Sequence, residues 1–171
     1  MYMRIAIVGY GNLGQGAELA LRDCRDCEAV GVFTRRDPAA IRTRTGIPVC
    51  PAADILSWEG KLDVLLLCGG SAADLPEVTP ALAAHFEVVD SFDNHRDIPA
   101  HFARTDAAAR AGGHLALIAA GWDPGLFSLL RLYADAVLPD GQTYTFWGAG
   151  VSQGHSDAVR RLAGVRDARA Y

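Results

Sequence analysis

The sequence predicts a doubly wound α/β domain over residues 1–120, followed at 121–171 by the start of an α+β domain. Three observations carry this reading. Short β-rich runs alternate with helical segments six times, a glycine-rich turn separates the first strand from the first helix, and the alternation changes after Gly121. Of the 171 residues, 50% are hydrophobic and 21% charged, enough apolar matter for a core. Lys and Arg number 16 against 20 Asp and Glu, for a net charge of −4, so no general basic field draws nucleic acid. The longest apolar runs, Val64–Cys68 and Leu115–Ala120, fall far short of the ~20 residues that span a bilayer. Met1–Gly9 shows no basic leader, and the expectation is a cytoplasmic chain with neither a membrane nor a nucleic acid as partner.

Arg4–Gly9 mixes β-branched and small apolar residues and reads as the first strand. Ala17, Leu19, Ala20 and Leu21 then predict a helix ending near Arg25, and Ala29–Phe33 a second strand that this crossover makes parallel to the first. Pro38, Pro48 and Pro51 break the next segment into a short helix at Ala39–Arg44, a strand at Val49–Cys50 and a helical turn at Ala53–Leu56. Leu62–Cys68, nearly continuous in apolar residues, reads as a central strand buried on both faces. Asp74 caps a helix with Pro76 in its first turn. Phe86–Asp90 is the fifth strand, Ile98–Ala111 a helix ended by Gly112 and Gly113, and Leu115–Ala119 the sixth strand. Beyond them come a helix at Leu126–Ala136, a turn at Pro139–Gly141, a strand at Thr143–Trp147, a short helix from Ser156 and a strand from Val165. That strand meets the end of the sequence at Tyr171, so the second domain is expected to be incomplete.

Gly9-Tyr10-Gly11-Asn12-Leu13-Gly14 sits where a dinucleotide fingerprint has a mechanism. Gly9 permits the tight turn, Gly11 lets a pyrophosphate approach the backbone, and Gly14 lets helix pack on strand. This makes the fold Rossmann-like. At the end of the second strand, where a site for NAD carries an acidic residue, stand Thr34, Arg35 and Arg36. Two guanidiniums and a hydroxyl suit a 2′-phosphate, so NADP is the expected cofactor.

Cys68, Gly69, Gly70 and Ser71 end the fourth strand; small residues there admit a cofactor, and Ser71 suits either a ligand oxygen or ordinary turn chemistry. Asp93 and Asn94 follow the fifth strand, and Trp122 and Asp123 the sixth. The two carboxylates are candidates for the reacting region, although Asp93 and Asn94 also serve as turn formers and Asp123 before Pro124 as an N-cap. In the loop at 150–157, Ser156 is expected to cap the last helix, while Gln153, Gly154 and His155 have no evident structural duty. No metal-ligand spacing is evident there. Cys24 and Cys27 have C-x-x-C spacing, but no second pair completes a zinc site, and a helix dipole raises a thiol pKa at a C-terminal end. The four cysteines are read as free, structural thiols.

Together, GYGNLG at 9–14, FTRR at 33–36, CGGSAADLP at 68–76, SFDNHRDIP at 91–99, GWDPGLFSL at 121–129 and FWGAGVSQGHSDAVRR at 146–161 resemble the meso-diaminopimelate dehydrogenase family, the last three strings most specifically. The resemblance implies NADP-dependent oxidative deamination of the D-centre of meso-2,6-diaminopimelate to L-2-amino-6-oxopimelate and ammonia, within lysine biosynthesis. It implies a cofactor held by Gly9, Gly11, Asn12, Leu13, Gly14, Thr34, Arg35, Arg36, Cys68, Gly69, Gly70, Ser71, Ser91, Phe92 and Asn94. It assigns Asp93 and Asp123 to the reacting centre, Trp122 to a substrate wall, and Gln153 and Gly154 to substrate contacts. Family members are about twice this length, so a second chain supplying the C-terminal half, in a dimer-based homo-oligomer, is the expected partner. Two other readings stay open: a non-catalytic NADP-binding module or regulatory subunit, and another Rossmann-type oxidoreductase such as a dihydrodipicolinate-reductase-like enzyme. The second usually needs a lysine or histidine acid, and the only lysine, Lys61, falls on the wrong edge of the sheet.

Overall fold

The computed structural model describes residues 2–142 and 153–170. Its elements are β1 (Met3–Val8), α1 (Asn12–Arg22), β2 (Cys27–Thr34), β3 (Val49–Pro51), β4 (Val64–Leu67), α2 (Leu75–Ala83), β5 (Val88–Asp90), α3 (Ile98–Gly112), β6 (Ala116–Leu117), α4 (Leu126–Val137) and α5 (Gln153–Arg160). The six strands form one parallel sheet in the order β3-β2-β1-β4-β5-β6, the doubly wound arrangement that the sequence predicts. The chain reverses its direction of travel between β1 and β4, and the cleft outside the strand ends at that point is where such sheets bind ligands.

Alternation along the strands divides the core between the two sheet faces. Ala6 and Phe33 join Leu65, Leu67, Leu75 and Phe86 in one cluster, whereas their neighbours Ile7 and Val32 join Tyr10 in the other. The β1–β2 ladder steps from Ile5 opposite Ala29 to Ala6 opposite Gly31, which leaves Val30 as a one-residue bulge. The chain divides into compact units at Met1–Tyr133 and Ala134–Tyr171. No helix among the described residues is long and apolar enough to cross a membrane.

Five local expectations need correction. The helix expected at Ala39–Arg44 is a single 3₁₀ turn at Pro38–Ala40, because Ile41 is extended and the N–H groups of Arg44 and Thr45 donate to the Glu18 carboxylate at 3.0 and 2.6 Å instead of to a helical turn. Helix α1 stops at Arg22, short of Arg25, where the Asp23 and Cys24 N–H groups tighten onto Ala20 and Leu21. Asp74 precedes α2 but caps none of its N–H groups, since its carboxylate faces Gly70 and Arg35. The last helix begins at Gln153, three residues before the expected cap; Ser156 lies within it, and its buried Oγ accepts the Ala170 N–H at 2.9 Å. From Val165 to Arg169 there is no strand, and Asp167 there bonds Arg160 at 3.0 Å. The strand expected at 143–147 lies outside the described residues.

Candidate active site

The glycine loop begins where β1 ends. Gly9 adopts φ +93°, a left-handed conformation that favours glycine. A Cβ on Gly14 would lie 2.3 Å from the Gly9 carbonyl oxygen, so helix α1 can approach β1 only with glycine there. A Cβ on Gly11, in contrast, would meet nothing within 4 Å, which leaves open the space in front of the first N–H groups of α1. Asn12 and Leu13 begin that helix and are exposed. These features fit a pyrophosphate.

Loops from β2 and β4 flank this turn. Arg36 Nη2 donates to the Tyr10 carbonyl at 2.5 Å, bracing the glycine loop, and Thr34, buried, accepts the Arg36 N–H on its Oγ1 at 3.1 Å. Arg35 projects outward, its side chain 72% exposed, with Nη2 2.5 Å from Asp74 Oδ1. The Gly70 N–H and the Arg35 guanidinium hold the Asp74 carboxyl below the usual range, against an opposing effect of burial. Gly9, Thr34, Arg35, Ile55, Gly69 and Asp74 border an apolar cleft of about 240 Å³. Cys68 lies beside Gly9, and burial pushes its thiol up to about 12, so it stands here as a neutral group.

On the other side of the reversal point, one buried carboxylate organises two loops. Asp90, the last residue of β5, accepts Thr79 Oγ1 at 2.8 Å and meets His101 Nε2 at 2.7 Å through Oδ2. Its Oδ1 accepts the N–H of Phe92 at 3.1 Å and of Ala119 at 2.9 Å. The first of those bonds shapes the loop carrying Ser91, Asp93 and Asn94, and the second anchors the one that runs on to Trp122 and Asp123. Phe92 is buried and stacks on His101, ring centroids 4.1 Å apart. Asp93 is exposed, and its N–H donates to Ser71 Oγ at 3.1 Å, tying the loops after β4 and β5 together. Asn94 donates to Asp97 at 2.6 Å.

Trp122 and Asp123 occupy a closed turn. The Gly121 N–H donates to the Pro124 carbonyl and the Leu126 N–H returns to the Gly121 carbonyl, an approach so close that a Cβ on Gly125 would lie 2.0 Å from that oxygen. Asp123 is exposed and accepts Ser128 Oγ at 2.9 Å, a side-chain contact in place of the expected N-cap bond. Trp122, 63% exposed, stacks on Phe127 at 5.4 Å. Thus the sheet brings the glycine loop, Arg35, Ser71, Asp93 and Asp123 to one edge of the first unit. Gln153 and Gly154 open α5 in the second unit. Asp74, Asp90 and His101 escaped the sequence reading as partners of the site; the only signal was the position of Asp74 and Asp90 at or beyond strand ends, and His101, inside α3, gave none.

The model of the diaminopimelic acid dehydrogenase C-terminal domain matches residues 121–171. Meso-diaminopimelate D-dehydrogenase of Ureibacillus thermosphaericus is 54% identical over 169 residues, covering 99% of this chain and 52% of that protein. The enzyme of the same name from Corynebacterium glutamicum is 50% identical with the same coverage. Among solved structures, the C. glutamicum DAP dehydrogenase in complex with DAP superposes with a TM-score of 0.84 at 49% identity, covering 98% of this chain and 51% of that one. An engineered D-amino acid dehydrogenase bound to NADP+ gives 0.82 at 47%, covering 99% and 52%. The chain spans about half the length of the curated relatives it matches. In sequence and in fold, along nearly its whole length, it is similar to one half of the meso-diaminopimelate D-dehydrogenases.

Proposed function

We propose that this chain supplies the NADP-binding domain, residues 1–120, and the first part of the substrate domain, residues 121–171, of a meso-diaminopimelate dehydrogenase. The activity is reversible oxidative deamination of the D-centre, giving L-2-amino-6-oxopimelate and ammonia in lysine biosynthesis. The observation that carries the reading is the pair of exposed carboxylates, Asp93 and Asp123, on two loops anchored to the same Asp90 at the edge that also bears the glycine loop. The names of the relatives support it.

Bound NADP+ would supply the hydride acceptor. Gly9, Gly11 and Gly14 shape the turn for its pyrophosphate, with Asn12 and Leu13 at the helix start and the apolar cleft for the adenosine end. Arg35 takes the 2′-phosphate, while Arg36 holds the loop in shape. Cys68, Gly69, Gly70, Ser71, Ser91, Phe92 and Asn94 line the remainder. Asp93 and Asp123 hold the substrate ammonium; as it gives up a proton to them, the adjacent carbon becomes a better hydride donor. Trp122 forms a wall, and Gln153 and Gly154 contribute backbone contacts. Helix α4 exposes Leu126, Leu129 and Leu130 by 55%, 64% and 48%, a surface that suits cover by a second chain carrying the C-terminal half, within a dimer-based cytoplasmic assembly.

The test is titration of the chain with NADP+, followed by NADPH formation from meso-diaminopimelate with and without a polypeptide matching the other half of a relative. Binding by the chain alone and turnover only in the mixture are expected. Absence of binding overturns the cofactor assignment; binding without turnover in the mixture overturns the substrate assignment.

A further inference from the structure

Cys24 lies in the turn from α1 into β2 and Cys27 opens β2, at the end of the sheet opposite the glycine loop. The turn is held at both ends, by the Cys24 N–H on the Leu21 carbonyl at 3.1 Å and by the Met3 N–H on the Asp26 carbonyl at 2.9 Å. Cys24 is exposed and Cys27 half-buried, both are free, and their thiols hydrogen-bond each other. The position at a helix C-terminus predicts a raised Cys24 pKa, and the structure reverses this. The Asp26 backbone N–H and the Cys27 thiol both donate to the Cys24 sulfur and lower its pKa, whereas that same contact and burial raise Cys27. The two sulfurs therefore differ: Cys24 is the exposed one and its pKa is drawn down, whereas Cys27 is half-buried and its pKa is drawn up.

We propose that Cys24 and Cys27 form a reversible dithiol–disulfide site for low-molecular-weight disulfides, with Cys24 as the attacking thiol and Cys27 as the resolving one. The Cys24 thiolate attacks one sulfur of the disulfide, forming a mixed disulfide and releasing one thiolate. Cys27 then gives its proton to solvent and attacks the Cys24 sulfur, releasing the second thiolate. In sum, two cysteine thiols are oxidised to one disulfide, and the small disulfide is reduced to two thiols. Zinc suits the pair less well, because no group of three or more His, Cys, Asp or Glu side chains able to hold a metal occurs among the described residues. Cys68 serves as an internal control, since burial keeps its thiol protonated.

The experiment exposes the folded 171-residue chain to oxidised glutathione, blocks remaining thiols by alkylation and maps tryptic peptides by mass. Arg25 lies between the two cysteines, so trypsin separates them unless a disulfide joins their peptides. The expected result is a Cys24–Cys27 crosslink that forms while Cys68 remains alkylatable, and that dithiothreitol reverses. Cys27→Ser should trap Cys24 as a stable glutathione adduct, and Cys24→Ser should slow modification of Cys27 by about tenfold or more relative to that trapping. A persistent glutathione adduct on Cys24 in the wild type, absence of any crosslink, or equal rates in the two variants would each overturn the proposal. None of these readouts depends on the dehydrogenase assignment.

Discussion

The Asp90 carboxylate and the His101 imidazole meet at 2.7 Å with both side chains almost fully buried, 11 residues apart in sequence. That contact completes a set of four partners around one carboxylate, two of them side chains and two backbone N–H groups of the site loops. Truncation would strand the Thr79 hydroxyl, the Phe92 N–H and the His101 imidazole in the interior and leave the partly buried Ala119 N–H without its acceptor. Asp90→Ala should therefore lower unfolding stability by about 3–5 kcal/mol, since each buried polar group left without its partner costs about 1–3 kcal/mol. Urea denaturation measures this, and a loss below ~1 kcal/mol would contradict the role given to Asp90.

The two arginines after β2 should separate by cofactor. Arg35 is exposed and bonds only Asp74 among the contacts described, so Arg35→Ala should weaken NADP+ binding roughly ten- to hundredfold, from a lost charge-assisted bond of about 1.5–3 kcal/mol, and leave NAD+ binding unchanged. Arg36 braces the Tyr10 carbonyl, so Arg36→Ala should weaken both cofactors. Calorimetric titration of both variants with both cofactors decides; equal NADP+ and NAD+ affinities in the wild type would remove the 2′-phosphate assignment.

Asp123→Asn keeps the acceptor for Ser128 Oγ but removes the charge. In the reconstituted mixture, turnover should fall by about a hundredfold or more while NADP+ affinity stays within about twofold. Full activity in this variant would return Asp123 to a turn-forming role.

Glu18 provides a pH signature away from the site. Burial raises its pKa, but the Thr45 hydroxyl, the Tyr10 phenol and the N–H groups of Arg44 and Thr45 outweigh it, and the net effect lies below the ordinary value of 4.5. With a folded pKa below the unfolded one, the carboxylate's stabilisation is complete above the unfolded value and drains away as pH falls through the folded value. The stability gap between wild type and Glu18→Gln should be widest near neutral pH and narrow below about 4.5. Urea midpoints across that range measure it; a gap that widens on acidification would contradict the bonding scheme.

What the sequence revealed was mostly local. Strand, Gly9-to-Gly14 turn and helix follow one another within 22 residues, and each glycine's duty can be read from its neighbours. Asp74 reads locally as a cap because it precedes Leu75 and Pro76, yet its guanidinium partner is 39 residues away. Glu18 passes for an ordinary residue in an amphipathic helix; its capture of the Arg44 and Thr45 N–H groups, 26 and 27 residues on, removes the helix expected there. Asp90 is hidden for the same reason, because its partners come from α2, α3 and the two loops beside it. Pattern and propensity act over a few residues, whereas a buried polar group takes whatever donors the fold brings near it.

The bulge at Val30 protects the aim of the cofactor loop. Side chains on a strand alternate between faces, and by absorbing the extra residue the bulge keeps Gly31, Val32 and Phe33 on the same faces as their partners Ala6, Ile7 and Val8. Removing Val30 would leave a regular ladder with those same partners, so Phe33 would keep its face and the exit toward Arg35 its direction. An extra residue inserted after Gly31, where no bulge takes it up, would instead exchange the faces of Val32, Phe33 and Thr34 and turn Arg35 away while leaving the whole TRR string intact.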